Sequence, residues 1–433
     1  MKKYNMNNGQ LFACSFVCVI FIGSILLSLP ICRTAPASYI DNLFTALSAT
    51  CVTGLLTVTI ADTYNILGQI VIIFLMQIGG LSLMTFIGAF MVSTRQKLSM
   101  SDQMIVGDAL NKEGLNDVKG FIKRVIFYTL VFEGIGFVLY LSEMVPLYGT
   151  WSGAFRSLFL AVSAFCNAGM DNLGGTSLLP FQQNGVINLT TCFLIITGGI
   201  GFAVWFELEE IITRVIKRQP KRRMSVHTMT SVSVTLGLLI SMTMWLRIYE
   251  HMDLMTAFFQ STTLRTAGFY TYEFGKISMA TLFIMCLWML IGGSSGGTAG
   301  GLKTTTFAVL VSTVCHYLKS GNGESSLYRR RIPQESILKA FTILGLYAGF
   351  LFFGITLLLM FEAEGPLDLA FEAFSAIGTV GISVGITPKL TVIGKIVLMI
   401  LMFVGRIGPL TLILSVMQKN KSIKYAEENV LIG

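Results

Sequence analysis

Charge is scarce in this chain. Only 12% of its 433 residues are Asp, Glu, Lys or Arg, against 53% hydrophobic. That is too little charge to cover a soluble surface of this size. Histidine is scarcer still: His227, His251 and His316 are scattered, which excludes a histidine-based metal centre. The eight cysteines, at 14, 18, 32, 51, 166, 192, 286 and 315, never form a Cys-x-x-Cys pair. They fall in or beside apolar segments and read as small apolar fillers, not metal ligands or a disulfide framework. There is also no Ser/His/Asp set, no His-x-x-Glu-His and no pair of inward carboxylates. A membrane enzyme is therefore a poor reading of the chain.

Long apolar runs are what the chain has instead. Residues 11–30, 67–92, 125–141, 186–206, 226–248, 337–361 and 391–416 are each apolar, and 278–290 with 304–314 makes an eighth run broken by glycines. Roughly 20 apolar residues cross the ~30 Å of a bilayer core. Helices satisfy their own backbone there, so the expected class is an all-α integral membrane protein with eight transmembrane helices. The start, Lys2-Lys3 then an apolar run then Ala35-Pro-Ala37, mimics a signal peptide. The run is too long for an h-region and fills the slot of a first span.

The formal charge of +8 raises nucleic acid as a partner, and its distribution argues against one. Most of the Lys and Arg fall within 1–10, 93–124, 207–225, 316–339 and 418–433. The other sides of the spans hold acids: Asp41, Asp62, Glu143, Asp171, Glu250, Asp253, Glu273, Glu362, Glu364, Asp368 and Glu372. By the positive-inside rule, both termini and the basic loops face the cytoplasm of a cell membrane. An acidic outer mouth is expected to concentrate cations.

One stretch is written four times: Phe44 to Leu55, Phe159 to Met170, Phe258 to Phe269 and Phe371 to Ile382. In each, a hydroxyl residue (Ser48, Ser163, Thr262, Ser375) stands six places before a glycine (Gly54, Gly169, Gly268, Gly381). The first half reads as a short helix and the second as extended backbone ending where glycine permits φ > 0. Glycine-capped helix–turn elements are the bland alternative. Four copies in matching membrane context favour four pore loops around one axis, whose carbonyls replace a cation's water shell. The register predicts backbone oxygens from Val52, Thr53 and Gly54, from Asn167, Ala168 and Gly169, from Thr266, Ala267 and Gly268, and from Thr379, Val380 and Gly381. Each repeat is a span, a pore loop and a second span: 1–100, 101–222, 223–328 and 329–433.

Three interruptions stand out. Glu133 lies inside an apolar span, where an acid is either functional or a structural hydrogen-bond partner. Arg406 lies in the last second span, either limiting cation occupancy or bonding pore-loop carbonyls. The third repeat reads Gly292, Gly293, Ser294, Ser295, Gly296, Gly297, Thr298, Ala299, Gly300, Gly301, Leu302, Lys303. Each glycine costs a helix about 1 kcal/mol against alanine. Irregular backbone at membrane depth must be covered by protein or line a cavity. This loop is expected in the pore below the filter, as a gate, with Lys303 at its inner end. It is not a Walker loop, since Leu302 separates Gly301 from Lys303.

The four loops, the glycine-interrupted third repeat and the Gly-Arg-x-Gly-Pro-Leu-Thr segment at 405–411 together resemble the Trk/Ktr/HKT superfamily of potassium transporters. Eight spans are similar to the Ktr membrane subunit. The resemblance implies K⁺ as the transported ion, a homodimer with one pore per protomer and possible Na⁺ dependence. It also implies a separate cytoplasmic nucleotide-binding ring, so nucleotide is expected on that partner and no cofactor on this chain. Plant relatives that favour sodium often carry serine in the first filter, whereas all four positions here are glycine. Only the fourth loop has the Thr-Val-Gly of tetrameric potassium channels, which implies fewer sites and looser selectivity. Two functions follow: channel-like K⁺ uptake gated by the loop and the ring, or an ion-coupled (Na⁺ or H⁺) secondary transporter. Parallel repeats favour the first.

Overall fold

The computed structural model describes residues 8–81, 118–220, 223–320 and 325–416. The basic and polar segments expected at 93–117 and 418–433 lie outside those residues.

Apolar runs become helices wherever no proline or glycine interrupts them. The first spans of the four repeats are α1 (Asn8–Ser28), α4 (Val118–Tyr148), α8 (Val226–Tyr249) and α12 (Gln334–Phe361). Among the described residues, three helices are long and apolar enough to cross a membrane outright, over 120–148, 226–249 and 334–361. Their large apolar side chains point outward: Leu130 and Val138 on α4, Ile240 and Ile248 on α8, and Phe352 and Phe353 on α12 are all exposed. Lipid, not water, is the solvent such a surface fits.

Short pore helices follow: α2 (Tyr39–Cys51), α5 (Thr150–Cys166), α9 (Leu254–Thr263) and α13 (Pro366–Gly378). The second spans are α3 (Ile66–Gly80), α6 (Gly185–Gly199), α10 (Met279–Leu290) and α14 (Val392–Ile407). Among the described residues, three of them are continued by a second helix after a break: α7 (Phe202–Ile216), α11 (Thr304–Ser320) and α15 (Pro409–Val416). The sequence reading placed an irregularity in the third repeat alone. The structure corrects this, since α6 and α7 meet at a 94° bend and α14 ends at Gly408, φ +89°. Thus the run read as one span over 186–206 turns sideways near its end. Between α11 and α12 a two-residue hairpin pairs Ser326–Leu327 with Arg330–Arg331, a small exception to an all-helical fold.

The second span of each repeat packs against the pore helix of the next: α3 on α5, α6 on α9, α10 on α13, and α14 back on α2. That sequence closes a ring. A matching device recurs at the start of the second spans, where each N-cap is tied to its own repeat. Asn65 donates to the Ile31 carbonyl at 2.6 Å, Asn184 donates to Glu143 at 2.7 Å, and the Ser278 hydroxyl donates to Glu250 at 2.5 Å. The Thr391 hydroxyl donates to Glu362 at 2.6 Å. Three of the acids expected to attract cations therefore act as helix-cap partners. Asp41 pairs with Lys395 at 2.8 Å across the first and fourth repeats. Burial opposes ionisation of Asp41, but Lys395 and the hydroxyls of Ser38 and Thr57 outweigh it and hold the carboxyl below its usual range.

Candidate functional site: a glycine ring and the loop beneath it

The four pore loops share one backbone path. Each pore helix is followed by a left-handed residue that is not glycine: Val52 (φ +56°), Asn167 (+59°), Thr266 (+67°) and Thr379 (+51°). Two residues on comes a glycine, also at positive φ: Gly54 (+101°), Gly169 (+63°), Gly268 (+82°) and Gly381 (+85°). In repeats one, two and four the turn is closed alike, as in Thr53 N to Ser48 O at 2.9 Å, Ala168 N to Ser163 O at 2.8 Å and Val380 N to Ser375 O at 2.8 Å. Such a helix end normally takes glycine at the left-handed position. Valine or threonine there stores roughly 1–3 kcal/mol of strain, which the surrounding structure must hold in place.

The structure brings all four glycines together. A Cβ built on Gly54 would stand 2.6 Å from the Ala168 oxygen, and one on Gly169 would stand 2.6 Å from Gly268 Cα. One on Gly268 would meet the Val380 oxygen at 2.8 Å, and one on Gly381 would meet Gly54 Cα at 2.8 Å. Each glycine touches its neighbour's backbone, and the fourth touches the first. No side chain fits at any of the four.

The hydroxyl six places upstream is used unevenly. Ser48 Oγ accepts from Gly54 N at 3.1 Å, and Ser163 Oγ accepts from Met170 N at 2.9 Å. Thr262 turns back to donate to Phe258 O at 2.8 Å, and Ser375 Oγ has no partner. The repeated spacing therefore marks a shared fold more than a shared hydrogen bond.

Against the ring lies the glycine-rich loop, held by several backbone bonds. Gly292 N bonds Leu302 O and Leu302 N bonds Leu290 O, so the two ends of the loop pair as a parallel bridge, Ile291 with Leu302. Ser294 N bonds Gly199 O at 2.9 Å, Thr298 N bonds Gly198 O at 3.1 Å, and Phe202 N bonds Gly296 O at 3.1 Å. These contacts explain the bend between α6 and α7. The last carbonyls of α6 and the first amide of α7 serve the loop, so the helix cannot continue through them. A Cβ at Gly297 would stand 2.9 Å from Gly198 O, so backbone must meet backbone there.

Side chains fix the loop to α5, to the start of α11 and to itself. Thr298 donates to Phe165 O at the end of α5 at 3.0 Å, Ser294 bonds Thr304 at 3.0 Å, and Lys303 donates to Ala299 O at 2.7 Å. Gly292 faces the Thr266 methyl, and Gly300 faces the Thr379 side chain. The loop thus abuts the pore loops of repeats two, three and four. Ser295 and Gly301 also line a cavity with Lys303, Lys339 and Arg406.

Arg406 closes the arrangement. It donates to the carbonyls of Thr298 in the loop and of Gly79 and Gly80 at the end of α3. A cation at a helix C-terminus also meets the negative end of its dipole. Glu133 is buried on α4 and accepts from Gln77 Nε2 at 2.9 and 3.1 Å, while Gln77 Oε1 accepts from the Cys166 thiol at 3.0 Å. Of the two roles considered for Glu133, this geometry is the structural one, bracing α3 against the end of α5. Glu133→Leu leaves the Gln77 amide unsatisfied and is expected to cost about 1–3 kcal/mol, with Glu133→Gln much milder. Thermal unfolding of the purified variants checks this; equal losses in both would discount the bond.

Sequence reasoning missed Arg265. It is 5% exposed, and its Nη2 donates to Gly292 O at 3.3 Å. A signal was present: the residues one place before the left-handed turns are Cys51, Cys166, Arg265 and Gly378, and only one carries charge. Gln77 and the Gly198–Gly199 carbonyls gave no comparable signal.

A closed ring of four helix–turn segments within lipid-facing helices defines a multi-pass membrane protein of the transporter class. The chain belongs to the TrkH family, described as cation transport proteins, whose model matches residues 3–427. It is 38% identical to the Ktr system potassium uptake protein B of Bacillus subtilis, covering 100% of this chain and 98% of that one. It is 36% identical to the potassium/sodium uptake protein NtpJ of Enterococcus hirae, over 98% and 97% of the two chains. The potassium transporter TrkH of Vibrio parahaemolyticus shares the fold, with a TM-score of 0.76 at 17% identity, covering 96% of this chain and 86% of that one.

Proposed function

We propose that the chain conducts K⁺ into the cell through a single pore per protomer, with the glycine ring as selectivity filter and the Gly292–Gly301 loop as gate. The ring closure carries this reading: four left-handed turns with matching glycines, each packed on the next, support a filter built from backbone carbonyls of Val52–Gly54, Asn167–Gly169, Thr266–Gly268 and Thr379–Gly381. Carbonyl rings replace a hydration shell without a fixed charge. An inside-negative potential supplies roughly 2.3 kcal/mol per charge per 100 mV for uptake. The names of the relatives above, in potassium and potassium/sodium uptake, support K⁺ as cargo and leave Na⁺ dependence as part of the proposal. In this reading both termini lie in the cytoplasm, two protomers pair, and a cytoplasmic nucleotide-binding ring acts on the gate; the word "system" in the relative's name supports a partner subunit.

The test is ion flux in proteoliposomes, comparing K⁺, Rb⁺ and Na⁺ under an imposed potential with proton and sodium gradients removed. Sustained K⁺ flux under those conditions supports a pore. Flux only in the presence of an ion gradient would favour the coupled transporter instead.

Arg406 limits cation occupancy below the filter and holds the loop to α3. Arg406→Gln is expected to change apparent K⁺ affinity by about tenfold, ~1.4 kcal/mol, in a chain that still folds and inserts although it unfolds at a lower temperature. Loss of folded protein in place of altered flux would make the arginine purely structural.

A further inference from the structure

We infer that the inner end of the pathway contains a binding site for a phosphate-bearing anion, in the cavity bounded by Lys303, Lys339 and Arg406. This cavity of about 440 Å³ lies between α11, α12 and the α14–α15 break. Ligand cavities commonly measure 300–1,000 Å³, so there is room for a phosphate with an attached polar group.

The lining carries three cations and, among the described lining residues, no acid. Within the described residues, none of the three forms an ion pair. Lys303 spends one of its three donors on Ala299 O, and Lys339 is exposed on the first turns of α12. The hydroxyls of Thr305, Thr306, Ser336 and Thr411 line the same space. These residues sit in the first turns of α11, α12 and α15, so the positive ends of three helices converge on the cavity and add to the side-chain charge.

The electrostatics call for a counter-anion. A cluster of basic side chains with no acid among them, beside the exit of a cation pathway, repels the cargo, and its field is screened poorly in a partly enclosed space. A phosphate group offers acceptor oxygens to lysine, arginine and hydroxyl donors together. Val309, Ala340 and Ile343 form an apolar flank that a glycerol or acyl segment would cover. Basic pockets between membrane helices on the cytoplasmic side take anionic headgroups, and a soluble phosphate offers the same chemistry. The inward orientation rests on the reading above, whereas binding itself does not.

The experiment is native mass spectrometry and thermal unfolding of the full detergent-purified chain. One arm titrates phosphatidylglycerol, with phosphatidylcholine as control. The other titrates inorganic phosphate and pyrophosphate without lipid. The wild-type chain is expected to retain one anion, with Lys339→Gln and, separately, Thr306→Val each weakening it about fivefold. Selective retention of phosphatidylglycerol, lost in the variants, identifies a lipid headgroup. Retention of phosphate or pyrophosphate, lost in the variants, identifies a soluble ligand. Binding in neither arm, or binding unchanged in both variants, overturns the proposal. Neither readout uses ion flux, so failure here is distinct from failure of the pore reading.

Discussion

Gly268→Ser is expected to lower the K⁺-over-Na⁺ preference of flux by about tenfold, a loss of ~1.4 kcal/mol of discrimination. Gly268 is held at φ +82°, a region that side-chain-bearing residues enter at a cost of roughly 1–3 kcal/mol. Space adds to the cost, because the new Cβ would stand 2.8 Å from Val380 O, 2.9 Å from Gly169 Cα and 3.3 Å from Thr53 O. Those atoms are backbone of the three other pore loops. None can swing aside as the end of a flexible side chain would, so the strain passes around the ring. Carbonyls that leave their common orientation no longer match one ion size. The check is the K⁺/Na⁺ flux ratio in proteoliposomes, with thermal unfolding as control for folding. A well-folded variant with unchanged ratio would remove Gly268 from the filter.

Deletion of Ser294–Gly300 is expected to raise K⁺ flux by an order of magnitude or more (~tenfold,), to abolish its response to the cytoplasmic regulator, and to leave the K⁺/Na⁺ ratio unchanged. The loop lies against the pore loops of three repeats and is held there by identifiable bonds. Thr298 reaches Phe165 O, Arg406 reaches the Thr298 carbonyl, and α6 supplies the carbonyls of Gly198 and Gly199. Each such bond is worth about 0.5–1.5 kcal/mol net, so together they keep the loop in place without making it immovable. The filter glycines belong to other segments, which is why selectivity should survive. α11 runs from the loop's end toward the hairpin at 326–331, giving a partner a lever on the gate. Flux that stays low and still responds to the regulator, in a correctly inserted deletion, would place the barrier elsewhere.

The two expectations differ in how far the sequence alone reaches. The positive-φ glycines were legible because they are local, whereas the left-handed Val52, Asn167, Thr266 and Thr379 two places before them were not, since none is glycine. A residue pattern repeated four times sets φ at Gly54, Gly169, Gly268 and Gly381 whatever lies across the pore. The spans were legible for the same reason, since hydropathy is a sum over neighbours in sequence. The cyclic order was not, because nothing in Gly381 itself names Gly54 as its neighbour.

What reached across the chain stayed hidden. The run over 186–206 has the composition of one span, yet it bends by 94° because the carbonyls of Gly198 and Gly199 serve amides of a loop in another repeat. Arg406 announced itself as a buried-span cation, but its partners, Thr298, Gly79 and Gly80, come from two other repeats. Glu250 and Glu362 read as an attractive mouth, and in place they cap the second spans of their own repeats. The sequence by itself determined the membrane class, the four repeated helix–turn segments, their positive-φ glycines and one place where a helix must fail. Tertiary structure alone decided which repeat faces which, where the loop's hydrogen bonds go, and which charges meet at the inner end. The physical reason is that backbone conformation is written in nearest neighbours, whereas a buried donor is satisfied by whatever acceptor the packed chain brings within about 3 Å.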